Sequence, residues 1–247
     1  MQLRHVAAWG GAMAFGIRAF AKWAILGLCC LASACSGVDP RFKAGMARFD
    51  AGELAAARSL WLQAADEGDA SAQHGLGWMY EKGLDVSQDY AISAEWYAKA
   101  AAKGHAGAQL NLGKLYDNGA GVPQDYVAAA RLFRAAAEQG FAEAQNNLGR
   151  MYLAGQGVER DHASAARWLL AAATQNYAPA QNSLGLLYFK GHGVKQSADD
   201  AYFWLRLAML NGLAGAENNL AFVRSFLDDT KFAQLEERAA AWWGTQN

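Results

Sequence analysis

The sequence predicts an all-α solenoid, built from antiparallel helix pairs in 36-residue repeats and wound into a right-handed superhelix. Three observations carry this. One pattern recurs every 36 residues with no insertion, so Gln73, Gln109, Gln145 and Gln181 share a phase, as do Gly77, Gly113, Gly149 and Gly185. Alanine, the best helix former, comes in runs such as 55–57 and 171–173. Only three prolines occur among 247 residues, so helices go uninterrupted.

The chain opens with an expected export signal, residues 1–34. Arg4, Arg18 and Lys22 are the only charged residues before position 39, and they precede an apolar run over 23–34. Twelve residues are too few for a membrane span, which needs about 20. Basic flank, short apolar run and small-residue end together fit a secretory signal peptide. Met1 and Met13 are both candidate starts. Two processing routes compete near one bond: Ala32-Ser33-Ala34 reads as an A-x-A cleavage site, while 31–35 resembles a lipobox ending at Cys35, with Ala32 where leucine is usual. On the second route Cys35 is the lipidation site and the lipid anchors the protein to a membrane. Ser36 then resembles the signal for release to the outer membrane, so the expected location is the periplasm. All three cysteines, Cys29, Cys30 and Cys35, lie in this region, leaving the body without a disulfide framework.

A short linker, 35–40, leads to the solenoid, 41–247. Residues 41–69 read as a degenerate leading hairpin. Full repeats follow at 70–105, 106–141, 142–177 and 178–213. Residues 214–247 form a partial repeat and a capping helix, with Phe232, Leu235, Ala239 and Trp242 on one side. In each repeat the first helix carries an apolar face (Ala72, Leu76, Tyr80) and the second another (Ala94, Tyr97, Ala101). Glycine at the Gly77 phase costs about 1 kcal/mol in a helix interior, so a neighbouring helix is expected to press on the backbone there. Gly-x-Gly segments (119–121, 155–157, 191–193) end the first helices, and Asp125, Asp161 and Ser197 are expected N-caps of the second. The first repeat has Asp85 at the second glycine position, where it is expected to adopt the left-handed conformation.

The pattern A-x-A-Q-x-x-L-G-x-x-Y-x-x-G-x-G-V resembles the Sel-one-like repeat, a relative of the tetratricopeptide repeat, over residues 70–213. The resemblance implies a non-catalytic protein–protein interaction scaffold or adaptor, holding a protein or peptide on a concave surface lined by first helices. A cysteine-rich branch of the family is credited with activity on peptidoglycan or β-lactams. An envelope enzyme of that kind is the alternative reading, but this chain lacks cysteines within its repeats.

Composition and motifs point the same way. A net charge of -1 lacks the basic footprint that phosphate capture needs, which argues against a nucleic-acid partner. No histidine sits in metal-ligand spacing, so neither metal nor cofactor is expected, nor any catalytic residue. His162, standing where earlier repeats have tyrosine, reads as packing, and His74 as a solvated or groove residue. Trp96, Trp168 and Trp204 share a phase and read as core. Trp78 differs, because its equivalents are Lys114, Arg150 and Leu186. That variable column, with Asn111 and Asn147 one turn earlier, is the candidate partner-binding groove: Trp78, Asn111, Lys114, Asn147 and Arg150.

Overall fold

The computed structural model describes residues 39–246; the expected signal segment and Cys35 lie outside them. Twelve helices and no strand occur among the described residues. They are α1 (Pro40–Asp50), α2 (Leu54–Asp66), α3 (Ala70–Lys82), α4 (Tyr90–Ala102), α5 (Ala106–Asn118), α6 (Tyr126–Glu138), α7 (Ala142–Ala154), α8 (His162–Ala173), α9 (Ala178–Lys190), α10 (Ala198–Leu210), α11 (Ala216–Arg224) and α12 (Asp229–Gln246). The chain divides into two compact units, Met1–Gln124 and Asp125–Asn247. The first unit holds α1–α5 and the second α6–α12, so the division falls in the turn within one repeat.

In the four full repeats, the starts of the second helices and the ends of the first are closed by the residue the repeat supplies there. Asp89, Asp125 and Asp161 each accept two backbone N–H groups of the helix they precede, and Ser197 accepts one from Asp200. The first helices end on Gly83, Gly119, Gly155 and Gly191, all left-handed. The loop that follows is tied back by a side-chain amide: Gln88, Gln124 and Gln196 donate to the carbonyls of Glu81, Asp117 and Phe189.

Packing follows columns of equal phase. Trp61, Tyr97, Phe133, Leu169 and Leu205, 36 residues apart, are all buried on the second helices. Small residues let the facing helix approach. A Cβ at Gly77 would lie 2.6 Å from the Tyr97 ring, at Gly149 2.8 Å from Leu169, and at Gly185 2.7 Å from Leu205. Ala72, Ala108, Ala144 and Ala180 form a second fully buried column. In the leading hairpin Trp61 stacks between Phe42 and Phe49 at 5.9 and 5.7 Å. At the other end α12 covers α10: Leu235 and Ala239 are buried, Trp242 meets Trp204 and Phe203 edge-on, and Glu236 accepts from Arg206 and Tyr202. That helix therefore hides an apolar face of α10.

The repeated glutamine works at the seam between hairpins. Gln73, Gln109, Gln145 and Gln181 donate their amides to Ala65, Ala101, Ala137 and Ala173, carbonyls in the last turns of the preceding second helices. In two repeats the glutamine oxygen also accepts, from Gln175 onto Gln145 and from Asn211 onto Gln181. Lys103 occupies that donor position in the first unit and bonds instead to the Gly68 carbonyl, leaving buried Gln73 Oε1 without a partner.

A second seam contact is steric. Gly121 lies against the backbone of Tyr90 and Ala91, Gly157 against Tyr126, and Gly193 against His162. A Cβ at Gly157 would sit 1.9 Å from the Tyr126 carbonyl oxygen. Asp85 takes the equivalent place in the first repeat with φ 58°, and its carboxylate meets Arg58 at 2.9 Å.

Two stability measurements check the seam. Gly157→Ala should lose far more than Gly212→Ala, whose glycine is also left-handed but has no neighbour within 4 Å. The difference should be about 1–3 kcal/mol, the cost of overpacking on top of a shared conformational cost; equal losses in urea titrations would contradict the contact. Lys103→Gln should supply Gln73 Oε1 with a donor and raise stability by about 1 kcal/mol, the net worth of one hydrogen bond. A destabilised variant would show that the lysine contact matters more.

Candidate partner-binding face

The first helices carry the variable positions, and those positions do not share one environment. Trp78 is buried, with its ring edge-on to Phe49 at 5.5 Å. The expectation that it faces an open groove is corrected: α1 of the leading hairpin covers it, and Trp78 packs as a core residue of the first unit. Lys114 is half-buried. Arg150 is exposed, Leu186 half-buried, and Phe222, the next residue of this phase, is 57% exposed. The column therefore persists as an accessible feature in the second unit, from Arg150 through Leu186 to Phe222.

Asn111 is half-buried, and its amide nitrogen lies 3.1 Å from His74 Nε2. This bond joins α3 to α5, and Asn219 to Asn182 at 2.9 Å joins α11 to α9 in the same way. Within each unit these first helices thus lie side by side, tied by polar side chains 37 residues apart. Asn147 is half-buried at the Asn111 phase.

His74 is the clearest departure from expectation. It is fully buried rather than solvated, because its phase points into the seam between first helices, where the next repeat has Leu110. Its ring stacks on His105 at 4.6 Å and lies 5.4 Å from the Tyr97 ring. His105 Nδ1 accepts the Ala108 N–H as the N-cap of α5, while Tyr97 donates its hydroxyl to Glu81 at 2.7 Å. Burial, reinforced by the charge that His105 can carry, holds His74 well below the ordinary imidazole range. Burial also lowers His105, and Asp69 opposes the shift. The stacked pair, held by the Asn111 amide and the Ala108 N–H, packs the joint between α3 and α5.

An aromatic cluster went unseen in the sequence. Phe189, Phe222 and Phe226 meet pairwise, edge to face, at 5.1–5.3 Å, and Phe226 is 58% exposed. The signal was available, since Phe222 falls 36 residues after Leu186. His162 is half-buried and stacks on His192 at 4.9 Å, a packing contact as expected. Trp204 is buried, but Trp96 and Trp168 are only half-buried, and Lys99 lies over the Trp96 ring. Among the described residues no three His, Cys, Asp or Glu side chains converge as a metal site.

The buried histidine gives a pH dependence of definite sign. Below about pH 6.5 the unfolded chain takes up protons that folded His74 and His105 resist, so stability falls as pH falls, by up to about 1.4 kcal/mol per pH unit for each histidine. His74→Leu, which copies Leu110, should flatten this slope between pH 6.5 and 5. An unchanged slope in urea titrations across that range would refute the assignment.

Comparison with known proteins agrees with this geometry. The model of the Sel1 repeat family matches residues 70–105, 106–141, 142–177 and 178–213, more than half of the chain. No curated protein sequence matches. Among solved structures, a Sel1 repeat protein from Oxalobacter formigenes is 29% identical, with a TM-score of 0.71 over 83% of this chain and 84% of that one. The c5321 protein of uropathogenic Escherichia coli, described as a protective antigen with an SLR fold, is also 29% identical, with a TM-score of 0.54 over 76% of this chain and 48% of its own. With its repeat boundaries, seam glutamines and packed glycines all in register, this chain belongs to the Sel1 repeat family.

Proposed function

We propose that this chain is a non-catalytic adaptor of the bacterial cell envelope that binds a protein or peptide along its first-helix faces. Sel1 repeat proteins are in general protein–protein interaction scaffolds. One observation carries the reading here. On a framework whose glutamine, glycine and core columns repeat every 36 residues, one accessible column changes chemistry from Arg150 to Leu186 to Phe222. Variation combined with exposure, at Arg150 and Phe222, is what marks this column off from the buried His74 phase, which varies but faces the seam. The proposed contact residues are Asn111 and Lys114 in the first unit and Asn147 and Arg150 in the second, with Trp78 removed from the set by its burial. Export through the N-terminal signal and a lipid on Cys35 would hold the scaffold at the periplasmic side of the outer membrane. Single acyl chains bind membranes only marginally, so the proposal requires more than one.

Crosslinked pull-down from envelope extract tests both parts. Wild-type protein should retain a discrete partner in the detergent-soluble membrane fraction. Arg150→Glu should lose that partner with stability changed by no more than about 0.5 kcal/mol, as for an exposed site. Cys35→Ala should move the protein to the soluble fraction. Capture that is indifferent to Arg150, Lys114, Asn111 and Asn147 together would refute the face, and a soluble wild-type protein would refute the anchor.

A further inference from the structure

From the second unit we infer that the ligand is an extended peptide carrying a carboxylate and, about six residues away, a large apolar side chain. The inference rests on the scaffold reading and specifies its partner. The apolar end is the Phe189–Phe222–Phe226 cluster. Its three rings already stand edge to face, so an incoming side chain meets an arranged surface, yet Phe222 and Phe226 remain more than half exposed. Such a patch loses water contact at little ordering cost when an apolar group covers it. The charged end is Arg150, exposed on α7, whose fork of donors suits a carboxylate.

The same phase connects the two ends. Arg150, Leu186 and Phe222 are 36 residues apart, on the first helices of three successive hairpins. The bond between Asn182 and Asn219 shows α9 and α11 lying side by side. Two steps at packed-helix spacing span about 20 Å. An extended chain rising about 3.3 Å per residue covers that distance in about six residues. Half-buried Leu186 lies midway and favours an apolar or small residue between the two anchors. Asn147 and Ser183, beside the column, offer polar groups to a peptide main chain.

Selection of a random twelve-residue phage-displayed peptide library on the full chain provides the test. Enriched peptides should pair Asp, Glu or a C-terminal carboxylate with Phe, Trp, Leu or Met at a separation of five to seven residues. Synthetic versions should bind at least tenfold more weakly to the Phe222→Ser, Phe226→Ser double variant. They should also weaken tenfold on Arg150→Glu, and recover there when the peptide acid is replaced by lysine. That recovery cannot come from a folding defect. Enriched peptides lacking either anchor, or indifferent to both variants, would overturn the inference. So would no enrichment, flotation of the Cys35→Ala chain with phosphatidylethanolamine–phosphatidylglycerol vesicles through the phenylalanines, or a self-association abolished by Phe222→Ser. If the envelope partner is still captured while these peptide results fail, only this inference falls; if the wild type captures neither, the scaffold reading falls with it.

Discussion

The last carbonyls of a helix have no partner within that helix, and burying them bare costs free energy. In this chain Ala65, Ala101, Ala137 and Ala173 each accept an N–H of the following turn, from Gly68, Gly104, Gly140 and Asn176, and the buried glutamine of the next hairpin adds a second donor to the same carbonyl. A buried amide bond is directional. It fixes the phase and height at which the next first helix arrives, which a cluster of alanines alone would leave free to slide. Close approach of glycine to backbone in the turn, as at Gly157 and Tyr126, fixes the second point of contact. Helix phase, the stacking of Leu169 and Leu205 on Gly149 and Gly185, and the alignment of surface columns all depend on these two constraints.

Such a framework frees other positions. Because orientation is set by the seam and the core columns, the residues at the Arg150 phase can change from cation to aliphatic to aromatic without altering the helices that carry them. The pattern keeps the framework columns constant while one surface column varies. It also explains why the polar cluster at His74 belongs to the scaffold. Its residues join α3 to α5, as Asn182 and Asn219 join α9 to α11, with chemistry that differs and a position that does not.

Much of this was legible from sequence because periodicity converts position into direction. The caps at Asp125 and Asp161 and the pressed glycines followed from phase and local propensity. What escaped depended on neighbours outside the pattern. Trp78 is covered by Phe49, from a leading hairpin too degenerate to align side chain by side chain. His74 occupies a phase whose occupants vary between Leu, Asn and His, and variation alone does not distinguish a tolerant seam from a solvent face. Phe222 was missed because Ala221 and Arg224 break the motif around it, although the column itself continues.

The seam has a consequence for how such a chain can change in length. Removing residues 142–177 would place Gln181 where Gln145 now stands, within reach of Ala137, and Gly193 where Gly157 meets the turn into α6. Every bond and every close approach at the joint would be remade with a partner of the same kind. Removing a number of residues that is not a multiple of 36 would aim the glutamine at nothing and drive a side chain into the backbone. The molecule is thus quantised in units of one hairpin, and the distance between Arg150 and the Phe189–Phe222–Phe226 cluster can be altered only by whole helical steps.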